Sequence, residues 1–109
     1  MSTEHRLRLQ RATGPDCTMV ALPDHADVVI GRGSDAGVVL ENAGVSRHHV
    51  RVQCADGGIT LTDLASTHGT MLNGARLEPN EPTPLHDRDL VTIGPWTFVR
   101  SEEHTSELQ

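Results

Sequence analysis

Short runs of alternating apolar and polar residues constrain the fold of this chain more than any other feature. Residues 5–11, 49–53 and 59–64 alternate with period two, which is the pattern of a strand with one buried and one solvated face. Glycine, proline or Asn-Gly turn signals separate the runs, and no stretch shows convincing helical periodicity. The sequence therefore predicts an all-β chain without a helix.

The spacing of these runs narrows the architecture. Further strands are predicted in segments 18–22, 27–30, 38–40, 71–72, 90–93 and 96–99. About ten short strands with turns between them indicate a β-sandwich or a closed barrel. Trp96 and Phe98 are the only large rings apart from histidine, and they lie two residues apart on one face. We expect them to be the largest parts of a core built from valine, isoleucine and leucine.

Charge and length exclude several classes of function. The 109 residues carry 15 acidic and 9 basic side chains, a net charge of −6, whereas nucleic-acid binding needs a basic face. No apolar run approaches the ~20 residues that cross a bilayer, and no secretory signal is evident. We therefore expect a cytoplasmic protein with no nucleic-acid or membrane partner, and a binding module in place of an enzyme.

Residues 100–109 differ from the rest of the chain, because they are polar and unpatterned. They match the translation of a common short-read sequencing adapter. We therefore expect one domain over residues 1–99, followed by a non-native or disordered tail over residues 100–109. On this interpretation the natural protein continues beyond Val99.

Fragments that resemble enzyme motifs lack the context that their chemistry needs. Residues 31–37 resemble a dinucleotide-binding loop, but a strand follows and offers no helix N-terminus for a pyrophosphate. Residues 44–48 lack the closing glycine of a nucleophile elbow. The chain has seven histidines, but the adjacent His48 and His49 would point to opposite faces of a strand, and no carboxylate or cysteine stands at ligand spacing. We expect no catalytic residue, no metal and no cofactor.

Arginine and hydroxyl side chains are instead concentrated in three turns beside strands, namely Gly31-Arg32, residues 45–49 and residues 63–70. Arginine pairs with phosphate oxygens through parallel hydrogen bonds, and hydroxyls and backbone N–H groups complete such a cage. In a net-acidic chain, this set predicts a site for one dianionic group at one end of the sandwich.

Four motifs occur in a fixed order: Ile30-Gly31-Arg32, Val45-Ser46-Arg47-His48-His49, Asp63-Leu64-Ala65-Ser66-Thr67-His68-Gly69-Thr70 and Leu72-Asn73-Gly74. Together they resemble a forkhead-associated (FHA) domain of the bacterial type, over roughly residues 6–99. The resemblance implies a β-sandwich of about eleven short strands whose loops at one end bind phosphothreonine peptides without catalysis.

The resemblance also implies a phosphopeptide-binding role for five residues. Arg32 and Arg47 would supply cations to the phosphate, Ser46 would hydrogen-bond it, and Thr67 would contact the phosphate or brace the loop beside it. His68 stands where the family usually has an asparagine that bonds the peptide backbone. An imidazole has a different reach and pH dependence, so the geometry of the peptide is in question.

Five further residues would be structural. The resemblance implies that His49 is buried and braces the loops, although its phase with Arg51 and Gln53 would place it on the solvated face. The remaining four match turn positions of the family, namely Gly31, Gly69, Asn73 and Gly74.

The sequence therefore predicts a signalling module that docks a threonine-phosphorylated protein, either a Ser/Thr kinase or a kinase substrate. Two alternatives stay open. The first is an assembly or scaffold module of the same fold that binds without phosphate, for which His68 is the reason. The second is an N-terminal regulatory domain of a longer protein that is truncated here.

Overall fold

A computed structural model of the chain describes residues 5–11, 17–22, 25–55 and 58–102. These residues form eleven strands and no helix. The strands are β1 (His5–Arg11), β2 (Cys17–Leu22), β3 (Asp27–Gly31), β4 (Val38–Val39), β5 (Val50–Ala55), β6 (Gly58–Asp63), β7 (Met71–Leu72), β8 (Ala75–Arg76), β9 (Thr83–Leu85), β10 (Leu90–Ile93) and β11 (Trp96–Glu102).

The strands form two sheets. One has the order β2-β1-β11-β10-β7-β8 and the other has the order β4-β3-β5-β6-β9. Neighbouring strands are antiparallel, except that β3 and β4 are parallel. The predicted alternation holds in β5, where Val50 and Val52 are buried and Arg51 between them is exposed. The all-β prediction and the sandwich architecture are confirmed.

The core lies between the two sheets and draws on both of them. Phe98 of the six-stranded sheet is among its largest fully buried side chains, with 1% of its surface exposed. Trp96, predicted to be an equal partner, is only partly buried and packs against the edge of the core. The rest of the core consists of aliphatic side chains and one cysteine: Leu22, Ile30, Leu40, Val45, Val50, Val52, Cys54, Ile59, Leu61, Leu77, Leu85, Val91 and Ile93.

Two strands, β8 and β9, gave no clear signal in the sequence. Strand β8 has only two residues, and β9 falls in a segment that its prolines assigned to a loop. Pro84 is tolerated because β9 is the outer strand of its sheet and pairs only with β6, opposite Thr60. Proline lacks the N–H that a second neighbouring strand would require.

Strand β11 extends past the domain boundary expected at residue 99. It continues to Glu102, and its backbone pairs with β1 as far as the pair His5 and Glu102. Arg100 is buried and donates a hydrogen bond to the Leu85 carbonyl oxygen. Residues 103–109 lie outside the described residues, so the origin of the tail stays a prediction.

The two rings of β11 allow a matched test of the core. Replacing Phe98 with alanine is expected to lower the free energy of unfolding by about 3–5 kcal/mol, because it leaves a cavity between the sheets. Trp96→Ala is expected to cost less, because that ring is already partly solvated. Urea denaturation of both variants measures the difference, and an equal or larger loss for Trp96→Ala would contradict this account.

Candidate functional site

Three loops meet at one end of the sandwich: the β3–β4 loop (residues 32–37), the β4–β5 loop (residues 40–49) and the β6–β7 loop (residues 64–70). Backbone hydrogen bonds join the first two. The Arg32 N–H donates to the Ser46 carbonyl oxygen at 2.8 Å. The Gly33 N–H donates to the carbonyl oxygen of Arg47 at 3.1 Å. The two loops that carry both predicted phosphate-binding arginines are thus fixed side by side.

Gly31 makes this close approach possible. A β-carbon at Gly31 would lie 2.0 Å from the Arg47 carbonyl oxygen and 2.9 Å from the Ser46 carbonyl oxygen. Both contacts are far inside van der Waals distance, and the neighbouring atoms are backbone that cannot swing aside. The close backbone contact at the end of β3 therefore requires glycine, which gives the predicted structural residue a physical reason.

His49 joins the second loop to the third. Its ring is fully buried, and Nδ1 accepts a hydrogen bond from the Ser46 N–H at 3.0 Å. Nε2 lies 3.0 Å from the Gly69 carbonyl oxygen and donates to it. The two partners together require the neutral tautomer with its proton on Nε2. Alternation with Arg51 and Gln53 had placed His49 on the solvated face of a strand. Strand β5 begins only at Val50, so His49 precedes the strand and does not follow its alternation.

Ser46 and Thr67 face each other across the same two loops. The Thr67 N–H donates to Ser46 Oγ at 2.9 Å, and the two hydroxyl oxygens lie 3.5 Å apart. Ser46 is half-buried, whereas Thr67 is exposed. With its oxygen already accepting from Thr67, the Ser46 hydroxyl can direct its own proton toward a ligand.

The Arg32 side chain is anchored by one of its five donors. Its Nε donates to the Val45 carbonyl oxygen at 3.0 Å, immediately before Ser46 in the chain. Among the described residues, no side chain binds the two terminal guanidinium nitrogens. Arg32 thus presents an exposed fork whose Nε is fixed at the residue before Ser46.

Asp63 holds the β6–β7 loop, a role that the sequence analysis did not assign. Its carboxylate is 2% exposed, and Oδ1 accepts from the hydroxyls of Ser66 at 2.5 Å and Thr70 at 2.7 Å. Oδ2 accepts from the Ser66 N–H at 3.2 Å. The spacing of these three residues, i, i+3 and i+7, was the available signal. The resulting compact turn presents Thr67 and His68 at its exposed tip.

A carboxylate of the β3–β4 loop lies beside the β4–β5 loop. Asp35 is 3.0 Å from Nε2 of His48, the residue after Arg47. This hydrogen bond lowers the pKa of Asp35, and the charge of Arg47 contributes less. The Arg47 side chain itself is exposed and has no bonding partner among the described residues.

An open depression of about 710 Å³ lies beside Arg32. It is lined by Arg32, Ser34, Val39, Glu41, Asn42 and Ala43. One cation and one carboxylate therefore border the same space, with an exposed valine between the loops.

Two of the predicted structural residues lie away from this end. Asn73 and Gly74 have φ angles of 52° and 87° and form the tight turn between β7 and β8, as the Asn-Gly pair predicted. Asn73 Nδ2 donates to Asp89 at 3.0 Å, and its side-chain oxygen accepts from the Leu90 N–H. Asn73 therefore braces the start of β10. The other end of β10 is followed by Gly94, which packs against Val45 of the β4–β5 loop.

Groups that could hold a metal ion do not occur among residues 25–55 and 58–100, whose side chains the structure describes. In the same part of the chain, no helix is long and apolar enough to cross a membrane.

The Asp63 turn gives a test of how the loop is held. Asp63→Asn places an amide nitrogen where Oδ1 or Oδ2 accepts, so a donor meets a donor in a buried site. The expected loss is about 1–3 kcal/mol in the free energy of unfolding. Asp27→Asn removes an exposed carboxylate that pairs with Arg51 at 2.5 Å, and should change stability much less. Similar losses in denaturant titrations would refute the anchoring role.

Comparisons with known proteins agree with this geometry. Residues 28–94 match the family described as FHA domain. The chain is 38% identical over 108 residues to the ABC transporter ATP-binding/permease protein Rv1747 of Mycobacterium tuberculosis. That match covers 93% of this chain and 11% of the transporter. The chain thus spans a small part of the length of this relative.

Solved structures give the same result. The FHA domain of FhaA, a Mycobacterium tuberculosis protein, complexed with the intracellular domain of Rv3910, is 31% identical, with a TM-score of 0.72 over 86% of this chain and 98% of that chain. A structure from an analysis of phosphothreonine-dependent FHA domain interactions is 29% identical, with a TM-score of 0.75 over 91% of this chain and 98% of that chain. The resemblance in the four sequence motifs is therefore confirmed, and the chain belongs to the FHA domain family.

Proposed function

We propose that this FHA domain docks proteins that are phosphorylated on threonine, through the three loops at one end of the sandwich. The observation that carries the proposal is the arrangement around Ser46. Its hydroxyl accepts from Thr67, while the residue before it holds the Arg32 guanidinium by the Nε hydrogen bond. The anchored guanidinium of Arg32 and the hydroxyl of Ser46 are both accessible from solvent.

The chemistry of phosphothreonine suits this arrangement. The group carries close to two negative charges and three acceptor oxygens at neutral pH. The terminal nitrogens of Arg32 would donate two parallel hydrogen bonds, and the Ser46 hydroxyl would donate a third. Arg47, beside them on the same loop, would supply the second cation. Thr67 would act first through its backbone N–H, which holds Ser46 Oγ in position.

Two related structures support a phosphorylated protein as the partner. One belongs to an analysis of phosphothreonine-dependent FHA domain interactions, and another holds an FHA domain complexed with the intracellular domain of a second protein. By analogy, we propose that the partner here is a Ser/Thr kinase or a kinase substrate in the cytoplasm. The role is docking and not catalysis, and we assign it to the domain expected over residues 1–99, extended by the end of β11.

A phosphate-independent assembly module is the alternative that His68 keeps open. His68 is exposed at the tip of the β6–β7 loop and has no bonding partner among the described residues. Its imidazole would have to replace the asparagine that usually bonds the peptide backbone. That substitution concerns the residues around the phosphothreonine, whereas the Arg32 and Ser46 geometry concerns the phosphate itself. The phosphate site therefore favours the phosphothreonine function.

Arg32→Ala tests the phosphate site directly. The wild-type chain is expected to bind a degenerate phosphothreonine peptide pool with micromolar affinity, ~8 kcal/mol. Removing a guanidinium that pairs with phosphate should cost ~2–5 kcal/mol, which abolishes measurable heat in calorimetric titration. Arg88→Ala is the matched control, because Arg88 is an exposed arginine at the opposite end, where β10 begins.

The unphosphorylated twin of the pool completes this experiment. Binding that disappears without phosphate and in Arg32→Ala, but persists in Arg88→Ala, would support phosphothreonine recognition. Equal binding of both pools would favour the assembly module. Retention of phosphate-dependent binding by Arg32→Ala would contradict the assignment of Arg32.

The two hydroxyls should differ in importance. Ser46→Ala removes the donor to phosphate and the acceptor of the Thr67 N–H, and is expected to weaken phosphopeptide binding by ~1.5–3 kcal/mol. Thr67→Val keeps the backbone N–H and the side-chain shape but removes the hydroxyl. Its effect on the dissociation constant should be smaller. A larger loss for Thr67→Val would make the Thr67 hydroxyl, and not its N–H, the group that matters.

A further inference from the structure

A third arginine, Arg76, lies at the end of the sandwich where the three loops meet. It belongs to a strand outside the four sequence motifs. It lies on β8 opposite Met71, the first residue after the β6–β7 loop. Its guanidinium rests against the backbone of that loop. The position of a β-carbon on Gly69 would be 2.6 Å from Nε and 3.0 Å from Cζ of Arg76. The absence of a side chain at Gly69 is therefore what lets the guanidinium lie across the loop.

No described carboxylate neutralises the charge of Arg76. The side chain is exposed, and no carboxylate among the described residues forms an ion pair or hydrogen bond with it. By contrast, Arg51 on the exposed face of β5 is held by Asp27 at 2.5 Å. An exposed arginine that lies against the β6–β7 loop and pairs with no carboxylate of the described residues is available to an incoming anion.

The short spacing along the β6–β7 loop keeps Arg76 within reach of a peptide bound at the proposed phosphate site. Gly69 is two residues beyond Thr67, so their α-carbons are at most about 7.6 Å apart. The Gly69 carbonyl oxygen is bound by His49, which fixes this part of the loop. An extended peptide advances about 3.3 Å per residue. A phosphopeptide held at Arg32 and Ser46 would thus bring side chains about two to four residues from its phosphothreonine within reach of Arg76.

We propose that Arg76 selects partners that carry an acidic residue a few positions from the phosphothreonine. The proposal rests on the proposed phosphothreonine function and specifies its sequence preference. The planar guanidinium matches a carboxylate through two parallel hydrogen bonds. Arg76 is a specificity-determining residue, so it adds affinity only when the acidic residue is present.

The test uses a series of alanine-flanked phosphothreonine peptides in which a single aspartate is moved from four residues before to four residues after the phosphothreonine. Binding of the full chain is measured by fluorescence anisotropy for wild type, Arg76→Gln and the matched control Arg88→Gln. Aspartate at one or two adjacent positions should strengthen wild-type binding about fivefold over the alanine peptide. Arg76→Gln should abolish that gain, and Arg88→Gln should keep it.

The possible outcomes distinguish failure of the Arg76 proposal from failure of the proposed phosphothreonine function. If Arg76→Gln weakens the alanine peptide as much as the aspartate peptides, Arg76 acts on the phosphate and the selectivity proposal is wrong. Phosphate-dependent binding without any aspartate gain, or a gain that survives in Arg76→Gln, also overturns it while leaving the phosphothreonine function intact. No binding of any phosphopeptide to the folded wild type overturns both. Circular dichroism and thermal denaturation establish that each variant is folded.

Discussion

The candidate site depends on one buried imidazole. His49 accepts a hydrogen bond from the Ser46 N–H and donates one to the Gly69 carbonyl oxygen, so a single ring fixes the spacing of two loops. Neither lysine nor glutamine combines the rigid ring with a donor and an acceptor on opposite sides. The ring can be fully buried because both nitrogens are satisfied. Phosphate recognition would follow from this brace without any contact between His49 and the ligand.

The end of the sandwich around His49 carries one arginine that is anchored by a hydrogen bond and two arginines that are not. Arg32 is tied to the Val45 carbonyl oxygen and gives up one donor to hold the others in a fixed direction. Arg47 and Arg76 are exposed and make no bond to the described residues. Nearby, Asp35 forms a hydrogen bond with His48, and this hydrogen bond lowers the pKa of that carboxyl. A net-acidic chain thus has accessible guanidinium groups at this end of the sandwich. Their positive charge and the fixed direction of the Arg32 donors would both favour a dianion there.

Much of this could be read from the sequence because the deciding signals are local. Period-two alternation and the Asn73-Gly74 turn predicted nine of the eleven strands among the described residues, and motif order identified the family. The contacts that sequence could not give are those made across the fold. Arg76 contacts Gly69 only because β8 pairs with β7. Asp35 contacts His48 only because backbone hydrogen bonds join the β3–β4 and β4–β5 loops. Strand β9 was not predicted because Pro84 is tolerated only in a strand with a single neighbour, and the number of neighbours depends on the fold.

The way each side chain is held suggests how affinity and selectivity can be separated in one small domain. Ser46 and Arg32 are fixed by hydrogen bonds to neighbouring loops, so they pay little conformational entropy when a phosphate arrives. His68 and Arg76 are exposed and make no hydrogen bond to the described residues, and they can change identity without disturbing the braced loops. On the proposed function, the fixed groups would meet the phosphate and the exposed groups would meet the residues on either side of it. Substitutions at His68 or Arg76 would then redirect the domain to new partners while phosphate binding is preserved.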